Sequence, residues 1–308
     1  MLFSRNAVGI DITQQGIRMV SLGGKQDAPK LLSYGSADFP QATLRLLHRE
    51  PNVVAPAAFV NAVRETSLRL LSKTGLVSVS LPDAAGRVVI LDLETRFRSK
   101  EEGRDMIRWK LKKSLPVDMG DIHLDFQTLR EKESGELSVL VAIVARQIVT
   151  QYEDLLLEAG LQPNRIDFTT FNLCRLFARR LEMSENALFV ALHDGVLSIL
   201  VFNQGVIEFY RTKELGDAQP DMNRIFMETN SSLLFYRDKN PGHEIREAFC
   251  LAPEGSGELL GAVISEACGL EPLMLAADRF ITVPAGLSPS AGELASLSAA
   301  IGAAARNL

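Results

Sequence analysis

A chain of 308 residues with a formal net charge of −5 lacks the cationic excess by which general nucleic-acid binders neutralise phosphates. Its hydrophobic share of 46% and charged share of 23% are those of a folded globular protein and argue against global disorder. Cys174, Cys250 and Cys268 lie far apart without a CxxC pair, and the four histidines have no ligand spacing, so neither a disulfide framework nor a zinc site is read. No signal peptide is visible in MLFSRNAVGID, and no run approaches the ~20 apolar residues of a membrane span, so a cytosolic setting is expected.

Strands and helices alternate, which points to an α/β architecture of two domains or one elaborated unit. AVGIDI (7–12), GIRMVSL (16–22) and LLSYGSADF (31–39) read as three antiparallel strands, the second turn carrying Gly23-Gly24. A helix is predicted over 57–73, with Phe59, Val63, Leu70 and Leu71 near one face, then a strand over 77–82. After a strand at 88–94, a helix over 99–115 is framed by the Ser99/Glu102 capping box and by Pro116, with Ile107, Leu111 and Leu115 as its apolar stripe. Strands at 123–129 and 137–144 flank a loop with Gly135, and the helix 146–160 ends on a glycine suited to a C-cap.

The second half repeats the opening plan. A strand (164–168) and a helix (169–181) precede three strands at 186–194, 196–202 and 206–214, with turns at Asp194-Gly195 and Asn203-Gln204-Gly205. A long helix (220–239), strands at 246–252 and 272–276 around a helix (257–269), and a terminal small-residue helix complete the chain. Paired hairpin-bearing sheets facing a cleft are the plan of the actin/Hsp70/sugar-kinase superfamily, in which each hairpin turn grips phosphates from one side.

Three blocks carry a closer resemblance: VGIDITQQGIRMVSL (8–22), MIRWKLKKSLPVDMGDIHLDFQTL (106–129), and the stretch from VARQIVTQYEDLLLEAGLQPNRIDFTTFNL (144–173) onward. Together they resemble the PilM family, cytoplasmic actin-like proteins of type IV pilus assembly. The second block is the most specific, being similar to the family's helix with IRW, then proline, an acidic residue and a strand with LDYQ. The resemblance implies an actin-like (ribonuclease H-like) α/β fold with domain 1 at 1–165 plus 291–308, an inserted subdomain at 83–145, and domain 2 at 166–290. It also implies a protein peripheral to the inner membrane, holding the N-terminal tail of the bitopic protein PilN in a groove of domain 1. Through that contact it would link the cytoplasmic motor ATPases to the periplasmic alignment complex.

The superfamily's first phosphate loop has the form DxGxxxxK/R, its aspartate holding magnesium through water and its turn N–H groups pointing at the anion. Asp11, Gln14, Gln15, Gly16 and Arg18 supply that outline, but Thr13 stands at the first glycine, where a β-branch crowds the loop. The second loop, ALHDGVLSILVF, is shorter still: Asp194-Gly195 suits a two-residue hairpin turn, and Ser198 is what remains of the hydroxyl run. At the adenine side, CLAPEGSGELL (250–260) retains Gly255, Ser256 and Gly257, with Pro253 and Glu254 as departures. Phosphoryl transfer depends on positioning and charge stabilisation, so three weakened motifs lead to the expectation of a scaffold with catalysis absent or vestigial.

The alternative is an active ATPase that binds ATP and magnesium through Asp11, Thr13 and Arg18 with Asp194 and the 255–257 glycines. A GspL-type secretion protein is disfavoured by the lack of a transmembrane segment, and a sugar kinase by the lack of a second catalytic aspartate loop. Segment 94–113 carries eight basic residues against four acidic, and Arg104, Arg108 and Lys112 share a helix face, read as a solvated face or one turned to anionic lipid or an acidic partner. Trp109 is expected to pack within the subdomain, and the small-residue tail to pack on domain 1.

Overall fold

The computed structural model describes residues 6–40, 42–72, 74–112, 120–216 and 221–308. The chain opens with β1 (Ala7–Ile12), β2 (Gly16–Lys25) and β3 (Ala28–Asp38), antiparallel neighbours in that order. Then α1 (Pro56–Leu70) leads to β4 (Leu76–Leu81), which pairs parallel with β1. Next come β5 (Gly86–Leu93), α2 (Lys100–Lys112), β6 (Ile122–Glu131), β7 (Leu137–Ala145), α3 (Arg146–Glu158) and β8 (Gln162–Phe168). Helices α4 (Thr169–Leu176) and α5 (Ala178–Glu182) join this half to β9 (Asn186–His193), β10 (Val196–Asn203) and β11 (Val206–Glu214). The chain then runs through α6 (Met222–Lys239), β12 (Glu247–Leu251), α7 (Gly257–Cys268), β13 (Leu273–Met274), α8 (Ala291–Ser296) and α9 (Ser298–Ala305).

These strands make two five-stranded sheets of the same plan, β3-β2-β1-β4-β8 and β11-β10-β9-β12-β13, and a three-stranded sheet β5-β7-β6. Three cores fix the layering. One face of the first sheet (Val8, Ile10, Ile12) packs on α1 and α3, and the equivalent face of the second (Leu188, Val190, Leu192) on α6 and α7. The opposite faces share one core, in which Val20 and Leu22 of the first sheet and Phe189 and Leu200 of the second enclose α4 and α9. Alternation along each strand is what supplies two apolar faces.

Helix α9, SAAIGAAA, is wholly buried in that middle layer. Its small side chains let backbones meet: a Cβ on Gly9 would collide with the Ala300 carbonyl, and one on Gly302 with that of Asn172. The three-stranded sheet has its own core, Val139 and Val141 of β7 against Ile107 and Leu111 of α2. Ser99 accepts from the Glu102 N–H at 3.2 Å at the start of that helix, while Leu115 and Pro116 lie outside the described residues.

Several details depart from the sequence reading. Strand β2 continues through Gly23 and Gly24, because a bulge at Ser21/Leu22 keeps it paired with β3 and moves the turn to Gln26-Asp27. Leu71 is 89% exposed, since it caps α1 in the left-handed region instead of completing a turn. The helix predicted at 169–181 breaks at Phe177, whose ring turns into the middle core 5.0 Å from Phe280. The terminal helix likewise breaks at Leu297. Trp109 is 65% exposed, because Ile107 and Leu111 take the inward face of α2.

Candidate functional site

The two hairpin turns meet at the midline between the sheets. Asp11, wholly buried, is the penultimate residue of β1, and His193, nearly so, is the last of β9; the His193 Nε2 lies 2.9 Å from Asp11 Oδ2. One residue further on, the Gln14 N–H donates to Asp194 Oδ2 at 3.0 Å. Asp194 and Gly195 both have positive φ (48° and 72°), the two-residue turn that Asp-Gly favours.

Thr13 organises the first turn from within. Its hydroxyl accepts from the N–H groups of Gln15 (3.2 Å) and Gly16 (3.1 Å) and from Arg18 Nη1 (2.9 Å). The turn's three successive N–H donors, at Gln14, Gln15 and Gly16, are therefore all satisfied by protein oxygens. The space left between the turns is a cavity of about 40 Å³, lined among others by Thr13, Gln14, Asp83, Thr169, His193 and Asp194. That is room for a few waters at most.

Asp83, which the sequence reading passed over, is buried beside this cavity. Its carboxylate accepts from Tyr210 OH (2.8 Å) and from the N–H and hydroxyl of Thr170 (3.2 and 2.9 Å). Burial nonetheless raises its pKa from 3.8 to about 6, with a further push from Asp11. The folded chain thus holds a proton there between pH 4 and 6 that the unfolded chain has lost, and stability should fall as pH rises across that window. Asp83→Asn is expected to flatten the fall by more than half in urea titrations run from pH 4 to 7. The sequence does carry a signal, for VSVSLPD sets a carboxylate two residues past the end of β4, close to the level at which its parallel neighbour β1 carries Asp11.

The structure thus brings together Asp11, Thr13, Gln14, Gln15, Gly16, Arg18, Asp194 and Gly195, and does not bring in Gly255, Ser256 or Gly257, none of which lines the cavity. That last segment forms a turn before α7, with the Ser256 N–H on Pro253 O, and Glu254 folds against Gly292. The arrangement does not fit a triphosphate: the loop donors are taken, Asp11 is engaged by His193, and the carboxylates of Asp83, Asp194 and Glu214 line the cavity where phosphate charge would enter. Among the described residues no group of three or more His, Cys, Asp or Glu side chains could hold a metal ion.

A second feature is larger. A groove of about 1580 Å³ runs between the outer face of the three-stranded sheet (Leu140, Ala142, Val144) and the end of β8 with α4 (Ile166, Phe168, Phe171). Its rim carries Arg175 and Arg306, both paired with Asp167, and burial lowers the pKa of each guanidinium. Near its far wall, Arg130 of β6 bonds Glu208 Oε1 (3.0 Å) and Asn203 O (3.2 Å), tying the small sheet to β10 and β11. A hollow of about 850 Å³ on the same seam is lined among others by His48, Arg49, Arg87 and Arg146. The basic run of α2 is largely engaged in ion pairs, Lys100 and Arg104 with Asp125 and Arg108 with Asp105. No helix of the described residues is long and apolar enough to cross a membrane.

The profile of a family described as Type IV pilus assembly protein PilM matches residues 9–229. No curated protein matches the chain. Among solved structures, a PilM–PilN type IV pilus biogenesis complex is similar over 97% of this chain and 98% of that one, at 19% identity and a TM-score of 0.82. A Bacteroides thetaiotaomicron protein with an actin-like ATPase fold and unknown function is similar at 12% identity, over 88% and 91% of the two chains, with a TM-score of 0.55. The cytoplasmic domain of EpsL, an inner-membrane component of the Vibrio cholerae type II secretion system, is similar at 14% identity, over 96% and 94%, with a TM-score of 0.51. At these identities the likeness is one of fold, and the duplicated sheets are an actin-like arrangement.

Proposed function

The chain belongs to the family of the type IV pilus assembly protein PilM, and on that premise we propose that it is an assembly scaffold, working at the cytoplasmic face of the inner membrane, that holds the N-terminal tail of a PilN-like membrane protein. The occupied cleft would then be structural, with nucleotide binding weak or lost. The division into domains at 1–165 plus 291–308 and 166–290, with 83–145 inserted, belongs to the same proposal; the three sheets support it. So does the similarity to a PilM–PilN complex. Contact with the motor ATPases is the further step it suggests.

The observation that carries this reading is the groove under the three-stranded sheet. At about 1580 Å³ it exceeds the 300–1,000 Å³ usual for small-molecule sites, and its floor of Leu140, Ala142, Val144, Ile166 and Phe168 suits apolar side chains of an extended segment. Calorimetric titration of the protein with a synthetic peptide of the PilN-like tail is expected to show one-to-one binding. Absence of binding at millimolar peptide would defeat the reading. An ATP-dependent protein is the second reading, favoured only by the gathering of Asp11, Arg18 and Asp194 at one point, and it requires the two turns to part.

A further inference from the structure

We propose that His193 and Asp194 are built-in occupants of the first loop, the imidazole engaging Asp11 and the carboxylate engaging the Gln14 N–H, so that the chain holds its two sheets together without a ligand. The inference rests on the reading of the cleft as one that takes no nucleotide, and it names what takes the nucleotide's place. Two adjacent residues of the second turn make two separate contacts with the first: His193 to Asp11 at 2.9 Å and Asp194 to the Gln14 N–H at 3.0 Å. Both contacts cross about 180 residues of sequence; the first joins β1 to β9, the central strands of the two large sheets, and the second joins the turns that follow them. A plain hairpin turn needs neither.

His193 is buried between the turns, with Asp11 on β1, Asp194 in its own turn and Arg18 on β2 as its charged neighbours. The other oxygen of Asp11 lies 3.4 Å from the Thr169 hydroxyl of α4, so both carboxylate oxygens have a partner inside the protein. Removing one member of such a buried pair leaves the other unsatisfied, which costs more than the contact itself contributes.

The Gln14 amide reports the contact directly, because an N–H held by a carboxylate exchanges with solvent only when the contact opens. In ¹⁵N-labelled wild-type protein without nucleotide, this amide is expected to exchange about tenfold more slowly than in Asp194→Gly, which keeps the turn's positive φ and removes the carboxylate. His193→Gln keeps a donor toward Asp11 and should retain most of that protection. A Gln14 amide that exchanges freely in the wild type, or is equally protected in Asp194→Gly, overturns the proposal; the wild-type measurement needs no variant to fold. Saturable shifts of Gln14 and Gly195 on adding ATP and magnesium would instead overturn the reading beneath it, whether or not the amide is protected.

Discussion

Replacing Gly9 by valine is expected to lower the free energy of unfolding by about 3 kcal/mol, the upper part of the range for forcing extra carbons into a packed core. Gly9 lies in the middle of β1, between β2 and β4, and directly beneath α9. A Cβ there would run into the Ala300 carbonyl, the Ala304 nitrogen and the Ala304 methyl, two of them backbone atoms of a helix with no exposed residue. The helix cannot retreat, because its other side is pressed on α4 through Gly302. Both large sheets pack on this layer, so the loss should appear as a lower urea midpoint for a single cooperative transition. An unchanged midpoint would mean that α9 is not seated as described.

Changing Ala142 to arginine is expected to weaken binding of the PilN-like tail about a hundredfold, equivalent to about 2.7 kcal/mol. Ala142 sits mid-strand in β7, paired with Val88 of β5 and Asp125 of β6, and its side chain faces the groove, opposite to Val141. An arginine there would fill the floor and set a charge where apolar side chains are proposed to lie. Ala142 is partly buried and packs beside the core under the first sheet, so the stability of the variant is to be measured together with its binding. Titration of wild type and variant with the same peptide, alongside urea unfolding, separates lost binding from lost fold.

Much of the fold was legible because its signals are local. Strands β1 to β3 and β9 to β11 announce themselves by β-branched runs and polar turns, and Asp194-Gly195 names its own turn geometry. What escaped depends on the third dimension. Gly23-Gly24 reads as a turn until pairing across a bulge carries β2 past it, and Trp109 reads as core until Ile107 and Leu111 claim the inner face of α2. His193 looked like part of an ordinary turn because its partner, Asp11, is 182 positions away in the chain. Asp83 lies two residues past β4, in a turn whose partners Thr170 and Tyr210 are distant in the chain, and the groove takes its walls from β7, β8 and α4, whose adjacency no spacing reveals.

In the first loop the hairpin between β1 and β2 is legible in the sequence, but the partners of its side chains are not. Thr13 was expected to crowd the turn; in the structure it also accepts the hydrogen bonds of Gln15, Gly16 and Arg18, donors that would otherwise point outward. The account therefore stands on satisfied donors and a cavity of about 40 Å³. Calorimetry of the wild-type protein with ATP and magnesium at neutral pH puts this to the most direct test. The account predicts no saturable heat up to millimolar nucleotide. One-to-one binding in the micromolar range would contradict it, since both turns would then have to open around the phosphates.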